Sequence, residues 1–332
     1  MTKVRRNTIA EVAERAGVSP TTVSHVLSGN RPVASETQIR VQLAIDELGF
    51  RPSGLARSLR LQRSDTIALI VPDIANPFYP AFARGIDAAL DGRYLTFVCS
   101  TDARRDTELR FIDDLRDRQV DGMVIASFAL VAADLAPLLE AGVPLVALGS
   151  RLEDPRLDVV TTDDEHGAYL ATEHLIARGH RRIGLISGPE GGGDLRHAGY
   201  RRALEAAGRP HRPELVVSGR WVRAGGAEAM RRLLDLGEPP TAVFAANDLM
   251  AIGAMDTIHE RGARVPDDVA LVGYDDIEAA ALVSPALTTV VNPADEAGQE
   301  AGRLLLDRMT GRHEAEGRVV RLRSRLVVRD SS

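Results

Sequence analysis

The sequence predicts an all-α helix–turn–helix head joined to an α/β core of two lobes. Three observations carry this prediction. Residues Thr8 to Ser28, TIAEVAERAGVSPTTVSHVLS, hold two short helical patterns with recognisable starts and stops. From Thr66 onward, apolar runs of strand length alternate with amphipathic stretches of helix length. Charge divides at the same place: residues 1–63 hold 10 Lys+Arg against 5 Asp+Glu, and the remainder 31 against 42. A basic head on an acidic body suits a phosphate-binding module attached to a part that should not adhere to nucleic acid.

In the first helix Thr8 and Glu11 form a capping box, each side chain satisfying a backbone N–H that the first turn leaves unpaired. Ile9, Val12, Ala13 and Ala16 follow at i, i+3, i+4 and i+7 and define one apolar face. Gly17 provides the left-handed stop. Ser19 is the N-cap of the second helix and Pro20 its first residue. Val23, Val26 and Leu27 are expected to point inward, leaving Thr21, Thr22, His25 and Ser28 on the outer face. These are short hydrogen-bonding groups without a carboxylate, suited to close approach in a DNA major groove, where base edges present distinct donor and acceptor patterns. The competing reading is a small helical hairpin with a solvated polar face.

Gly29 to Pro32 reads as a loop, and Ser35 with Gln38 predicts a second capping box opening a third helix. Ile39, Leu43 and Ile45 supply its apolar positions, with Leu48 near its end and Gly49 as the stop. The expected head core is Ile9, Val12, Val23, Val26, Leu27 and Leu48. Residues 51–60, RPSGLARSLR, fit either a tether or a helix too short to stand without support.

In the core, strand runs are expected at 67–71, 94–100, 122–127, 144–149, 182–187, 242–247 and 269–274. Helices are expected at 81–90, 107–118, 167–177, 196–206, 224–234 and 248–260, then a late helix at 292–310 and a final strand at 319–328. Alternating strands and helices predict parallel sheets covered on both faces, and their number exceeds one sheet, hence two Rossmann-like lobes. The expected boundaries are a head at 1–50, a linker at 51–63 and a core at 64–332. Within the core, one lobe takes 64–161 plus 292–318 and the other 162–291 plus 319–332. Ligands in such sheets bind beyond the carboxyl ends of the strands, which singles out residues 73–79, 187–189, 247–248 and 274–276.

Other classes find little support. No apolar run reaches the length of a membrane span, and the basic N-terminus lacks the apolar segment of a secretory signal. Cys99 is the single cysteine, which excludes an intrachain disulfide and a cysteine metal cluster and points to the cytoplasm. Neither G-x-x-x-x-G-K-[ST] nor G-x-S-x-G occurs, and Gly191-Gly192-Gly193 lacks the Lys-Ser/Thr of a phosphate cradle. His166, His174 and His180 share no metal-ligand spacing with carboxylates. No catalytic residue, cofactor or metal is therefore expected. A solute-binding protein of the periplasmic type is the rival reading with the same core.

Several blocks together resemble the lactose repressor (LacI/GalR) family of bacterial transcription regulators. They are TIAEVAERAGVSPTTVSHVL, RPSGLARSLR, NPFY (76–79), HLIARGHRRIGLISGP (174–189), RHAGY (196–200), TAVFAANDLMAIGAM (241–255), RVPDDVALVGYDD (264–276) and PALTTV (285–290). The resemblance implies a cytoplasmic homodimeric repressor that binds near-palindromic operator DNA, with a periplasmic-binding-protein-like core for a small-molecule effector. It places Thr21, Thr22 and His25 where relatives read bases, and Ser19, Ser24 and Ser28 toward phosphates. It places Leu59 as a minor-groove wedge flanked by Arg57 and Arg60, favouring a hinge helix over a tether. Phe78, Tyr79, Arg196, Trp221, Asn247 and Asp275 fall at effector positions, and Asp275 could also cap a following helix. The His at 25 resembles the purine repressor branch, and Gly149-Ser150 replaces an acidic group of the lactose repressor. A sugar effector is expected, with a nucleobase as the alternative.

Overall fold

The computed structural model describes residues 7–28, 31–50, 63–149, 152, 154–189, 194–313 and 316–332. The chain divides into two compact units, Met1–Ser64 and Asp65–Ser332.

The head consists of α1 (Ile9–Ala16), α2 (Pro20–Ser28) and α3 (Ser35–Leu48). The capping box of α1 forms, with Thr8 N donating to Glu11 Oε2 at 2.7 Å and Glu11 N to Thr8 Oγ1 at 3.3 Å. Gly17 ends the helix at φ 66°, a conformation a Cβ would strain. The capping box expected at Ser35 and Gln38 is absent: Ala34 takes the N-cap position of α3 with no side-chain bond. The head core is Val12, Ala13, Ala16, Val23, Val41, Ala44, Ile45 and Phe50, with Ile9, Val18, Val26 and Leu48 partly buried. Leu27, Ile39 and Leu43, expected to help bury the head, are exposed. On α3 the inward set is Val41, Ala44, Ile45 and Leu48, spaced i, i+3, i+4, i+7, and Ile39 and Leu43 lie off that stripe.

The core opens with β1 (Thr66–Val71), α4 (Phe78–Ala89), β2 (Leu95–Ser100), α5 (Arg105–Asp117), β3 (Gly122–Ala126), α6 (Ala132–Glu140), β4 (Leu145–Leu148) and β5 (Asp158–Thr162). Next come α7 (Asp164–Ala177), β6 (Ile183–Ser187), α8 (Asp194–Ala206), β7 (Val216–Ser218), α9 (Arg223–Leu234), β8 (Ala242–Ala245) and α10 (Asp248–Glu260). The chain closes with β9 (Ala270–Asp275), α11 (Glu278–Leu282), β10 (Thr288–Val291), α12 (Ala294–Met309), β11 (Val319–Leu322) and β12 (Arg325–Val327).

The strands form two sheets, ordered β11-β5-β4-β3-β1-β2 and β12-β10-β9-β8-β6-β7. Every pairing is parallel except β10 with β12. The inner strands of each sheet are buried on both faces. In the first lobe Ile67, Leu69 and Val71 pack toward α4 and α12, while Ala68 and Ile70 pack toward α5 and α6. In the second, Val243 and Ala245 join the cluster of α9 and α10, while Ala242 and Phe244 join that of α7 and α8. Burial on both faces is why such strands read as unbroken apolar runs.

The described chain crosses between the sheets three times: after β5, after β10 and between β11 and β12. The third crossing corrects an expectation. Residues 319–328 were expected as one strand of the second lobe, but β11 pairs with β5 in the first sheet and β12 with β10 in the second. Alternation runs unbroken through VVRLRSRLVV, so a period of two cannot register that the strand changes sheets at Arg323-Ser324.

The two helices of the first lobe's outer layer, α4 and α12, touch backbone to backbone. A Cβ on Gly298 would sit 2.1 Å from the Phe82 carbonyl oxygen, whereas one on Gly237 would meet nothing within 4 Å. Gly298→Ala should therefore destabilise the core by about 1–3 kcal/mol, the usual range for overpacking. Gly237→Ala should leave thermal denaturation unchanged, and equal midpoints for the two variants would contradict this packing.

Candidate functional site

The carboxyl ends of the two parallel sheets meet across a cavity of about 340 Å³. Its walls are the segments that follow strands: Asp73 and Asn76 after β1, Ser127 and Phe128 after β3, Trp221 after β7, Asn247 after β8. The first two crossings supply Asp164 and Asn292, and α8 supplies Arg196.

Arg196 is the centre of this arrangement. Its Nε donates to Asp164 Oδ1 at 3.0 Å, and its Nη1 donates to the Ala246 carbonyl and lies 3.5 Å from Asp275 Oδ1. The guanidinium carbon stands 3.7 Å from the centre of the Tyr274 ring and 5.5 Å from that of Trp221. Burial opposes its charge, but the carboxylates of Asp164 and Asp275 outweigh that and hold it protonated. Such a pair of planar partners fixes the guanidinium in one orientation.

Asp275 is buried at the end of β9 with φ 110°, followed by Asp276 at φ 55°. Burial pushes its carboxyl up to about 6, with Arg196 and the Asn292 amide pulling the other way. Asn292 Nδ2 donates to Asp275 Oδ1 at 3.1 Å. The two left-handed residues are pinned from behind: Asp248 Oδ2 accepts from Ile277 N at 2.9 Å, Asp248 Oδ1 accepts from Thr289, and Arg329 donates to Asp276 at 2.7 Å. Asp275 does not cap the next helix, since the N-cap position of α11 is Ile277.

Asn247 caps α10, its Oδ1 accepting from Met250 N at 2.8 Å, while its Nδ2 donates to the Trp221 carbonyl at 3.0 Å. Trp221 itself has φ 64°, and its indole lies on Gly188, where a Cβ would come within 2.1 Å of the ring. Phe128 of the opposite lobe stacks on it with centroids 5.7 Å apart and planes at 25°. The indole Nε1 is buried without a hydrogen-bond partner among the described residues. Phe78 and Tyr79 open α4 in an edge-to-face pair and line the cavity while also joining the core beneath it. Burial, then the Asp275 charge, keeps the Tyr79 phenol protonated.

All six effector positions expected from the sequence thus line one cavity. Sequence reasoning missed Asp164, Asn292, Ser127 and Phe128. The first two follow β5 and β10, short strands of DVVTT and TTVV whose threonines gave no apolar signal. The latter two directly follow β3, an apolar run whose carboxyl end is the signal that marks them. Ser127 is held by buried Glu108, donating to Oε2 at 2.7 Å.

In the head, Ser19 Oγ accepts from Thr22 N at 3.1 Å and lies 2.9 Å from Thr22 Oγ1, so it caps α2. Thr21 is exposed, and Thr22, Ser24 and His25 are half-buried on the same helix. Ser28 ends that helix, but its side chain lies outside the described residues, as do Arg57, Leu59 and Arg60. Among the described residues no helix is long and apolar enough to cross a membrane, and no group of three or more His, Cys, Asp or Glu is placed to hold a metal.

A family model for bacterial regulatory proteins of the lacI family matches residues 8–53, and one for a periplasmic binding protein-like domain matches residues 172–332. The HTH-type transcriptional regulator CelR of Thermobifida fusca is 41% identical over 342 residues, covering 100% of each chain. Among solved structures, the complex of transcriptional regulator CelR with cellobiose aligns with a TM-score of 0.74 at 37% identity, over 98% of this chain and 100% of that one. The Lac repressor dimer bound to operator and the anti-inducer ONPF aligns with a TM-score of 0.84 at 30% identity, over 98% and 99%. Helix–turn–helix head and two-lobed core are thus matched together and in order, and the chain belongs to the lacI family of bacterial DNA-binding transcriptional regulators.

Proposed function

We propose that this regulator is an effector-controlled repressor: a homodimer that grips a near-palindromic operator and senses a small sugar in the core cavity. The observation that carries the reading is Arg196, held between Asp164 and Asp275 beside the Trp221 indole. Carboxylates and amides suit vicinal hydroxyls, and an aromatic face suits the C–H side of a sugar ring. The CelR–cellobiose complex and the operator-bound Lac repressor dimer support both halves by similarity. In the head, Thr21, Thr22 and His25 would read base edges, and Ser19, Ser24 and Ser28 would approach phosphates. Leu59 would wedge into the operator centre, flanked by Arg57 and Arg60. No catalytic step belongs to this reading, and the protein would act beside the chromosome, in the cytoplasm.

Control needs only that the effector bind one conformation of the core better than another, by about 1–3 kcal/mol. Arg196→Ala should leave operator affinity within about twofold and abolish the effector response, whereas His25→Ala should cost about 1–3 kcal/mol of operator discrimination and spare effector binding. Fluorescence anisotropy with and without effector separates the two. Loss of both functions in either variant would overturn the division of labour.

Asp275 also sets a pH dependence. Because burial raises its carboxyl to about 6, it is an ionised acceptor at neutral pH and gains a proton as pH falls through that value. Effector affinity should be full above neutrality and fall up to about tenfold per unit below the transition. The same proton uptake stabilises the free core, so its thermal midpoint should gain a contribution from this group over the window in which effector binding weakens. An Asp275→Asn variant with unchanged pH dependence of binding would contradict the assignment.

A further inference from the structure

We infer that the cleft selects an uncharged ligand and rejects its phosphorylated or carboxylated counterpart. The inference rests on reading the cleft as the effector receptor and adds which members of that chemical class enter.

Three carboxylates, Asp73, Asp164 and Asp275, line the cavity against a single guanidinium among its described residues, Arg196. That guanidinium is already committed to Asp164, Asp275 and the Ala246 carbonyl, with one face covered by Tyr274. An anion reaching the remaining Nη2 would stand beside the carboxylates that already hold Nε and Nη1, and that like-charge contact opposes its binding. Three helix N-termini at the cleft are already engaged by side chains. Such ends bind phosphate when their N–H groups are free. Here the Asp163 carboxylate caps α7 at His166 N (3.3 Å), the Asn247 amide caps α10 at Met250 N (2.8 Å), and Asn76 Oδ1 accepts from Phe78 N at the start of α4 (3.1 Å).

The same groups favour a neutral hydroxylated ligand. Ionised carboxylates only accept hydrogen bonds, so they want O–H donors. A neutral hydroxylated ligand supplies such donors without bringing charge.

Trp221 is the chain's one tryptophan, so its fluorescence reports on the cavity wall directly. The full chain is titrated near neutral pH with matched pairs: glucose and glucose 6-phosphate, cellobiose and cellobionate, adenine and adenosine monophosphate, with calorimetry as a second readout. In any pair that responds, the neutral member should bind about a hundredfold more tightly, the scale expected of one like-charge contact. Asp73→Asn keeps the oxygen that accepts from Ala75 N and removes one charge, so it should narrow that gap about tenfold. An anionic member binding as well as its neutral partner, or a gap unmoved by Asp73→Asn, would overturn the inference and leave the receptor reading standing. A response to adenine alone, with the monophosphate rejected, would overturn the sugar reading and support charge selection. Silence of every pair in both readouts would overturn both.

Discussion

The cleft is organised around one part-buried cation. Arg196 joins α8 to Asp164 at the first crossing and to Asp275 at the end of β9, and Asp275 is bonded in turn to Asn292 at the second crossing. Buried ion pairs contribute little net stability, because desolvation offsets most of their attraction, yet removing one partner is costly. Their effect here is positional. A guanidinium with fixed partners ties together the two chain segments along which the lobes could move. Whatever competes for Asp164 or Asp275 acts on those segments at once.

Presenting Asp275 requires a backbone that most residues resist. Consecutive left-handed conformations at Asp275 and Asp276 cost energy, and they persist because Asp248, Thr289 and Arg329 determine the turn from behind. Asp248 is itself buried and pushed well above the usual carboxylate range, mainly by burial and then by the charge of Asp275. It lies at the N-terminal end of α10, beside the cavity-lining Asn247. It is a positioning residue, and its neighbour in sequence is a lining one.

Legibility in the sequence followed the range of the interactions. The capping box of α1 and the Gly17 stop are contacts within a few residues, and both were readable. Strands buried on both faces, such as Thr66–Val71, declare themselves as apolar runs. The second capping box failed because Ser and Gln at the right spacing do not ensure that the backbone enters the helix between them. On α3, choosing Ile39 and Leu43 mixed two faces and missed the stripe ending at Leu48, and Phe50 packs into the head after the helix has stopped. Short threonine-bearing strands hid β5 and β10, and with them Asp164 and Asn292, whose roles depend on contacts more than thirty residues away or on the lobe crossings. The exchange of sheets between β11 and β12 is a property of topology, which alternation cannot encode.

Scale decides whether such a core can work as a switch. Across the cavity, Phe128 of one lobe meets Trp221 of the other in a single aromatic stack. A contact of that kind is worth about 0.5–1.5 kcal/mol beyond the area it buries. An allosteric coupling is about 1–3 kcal/mol. The two are comparable, so a ligand that rearranges this stack and one hydrogen bond of the Arg196 network already commands enough free energy to bias the lobes. Larger contact between the lobes at this point would work against control, since a ligand shifts an equilibrium only by its differential affinity for the two states. On the proposed reading the sparse aromatic closure and the dense polar anchor serve different ends: the anchor would define where the ligand sits, and the closure would keep the conformational gap small enough for that ligand to decide.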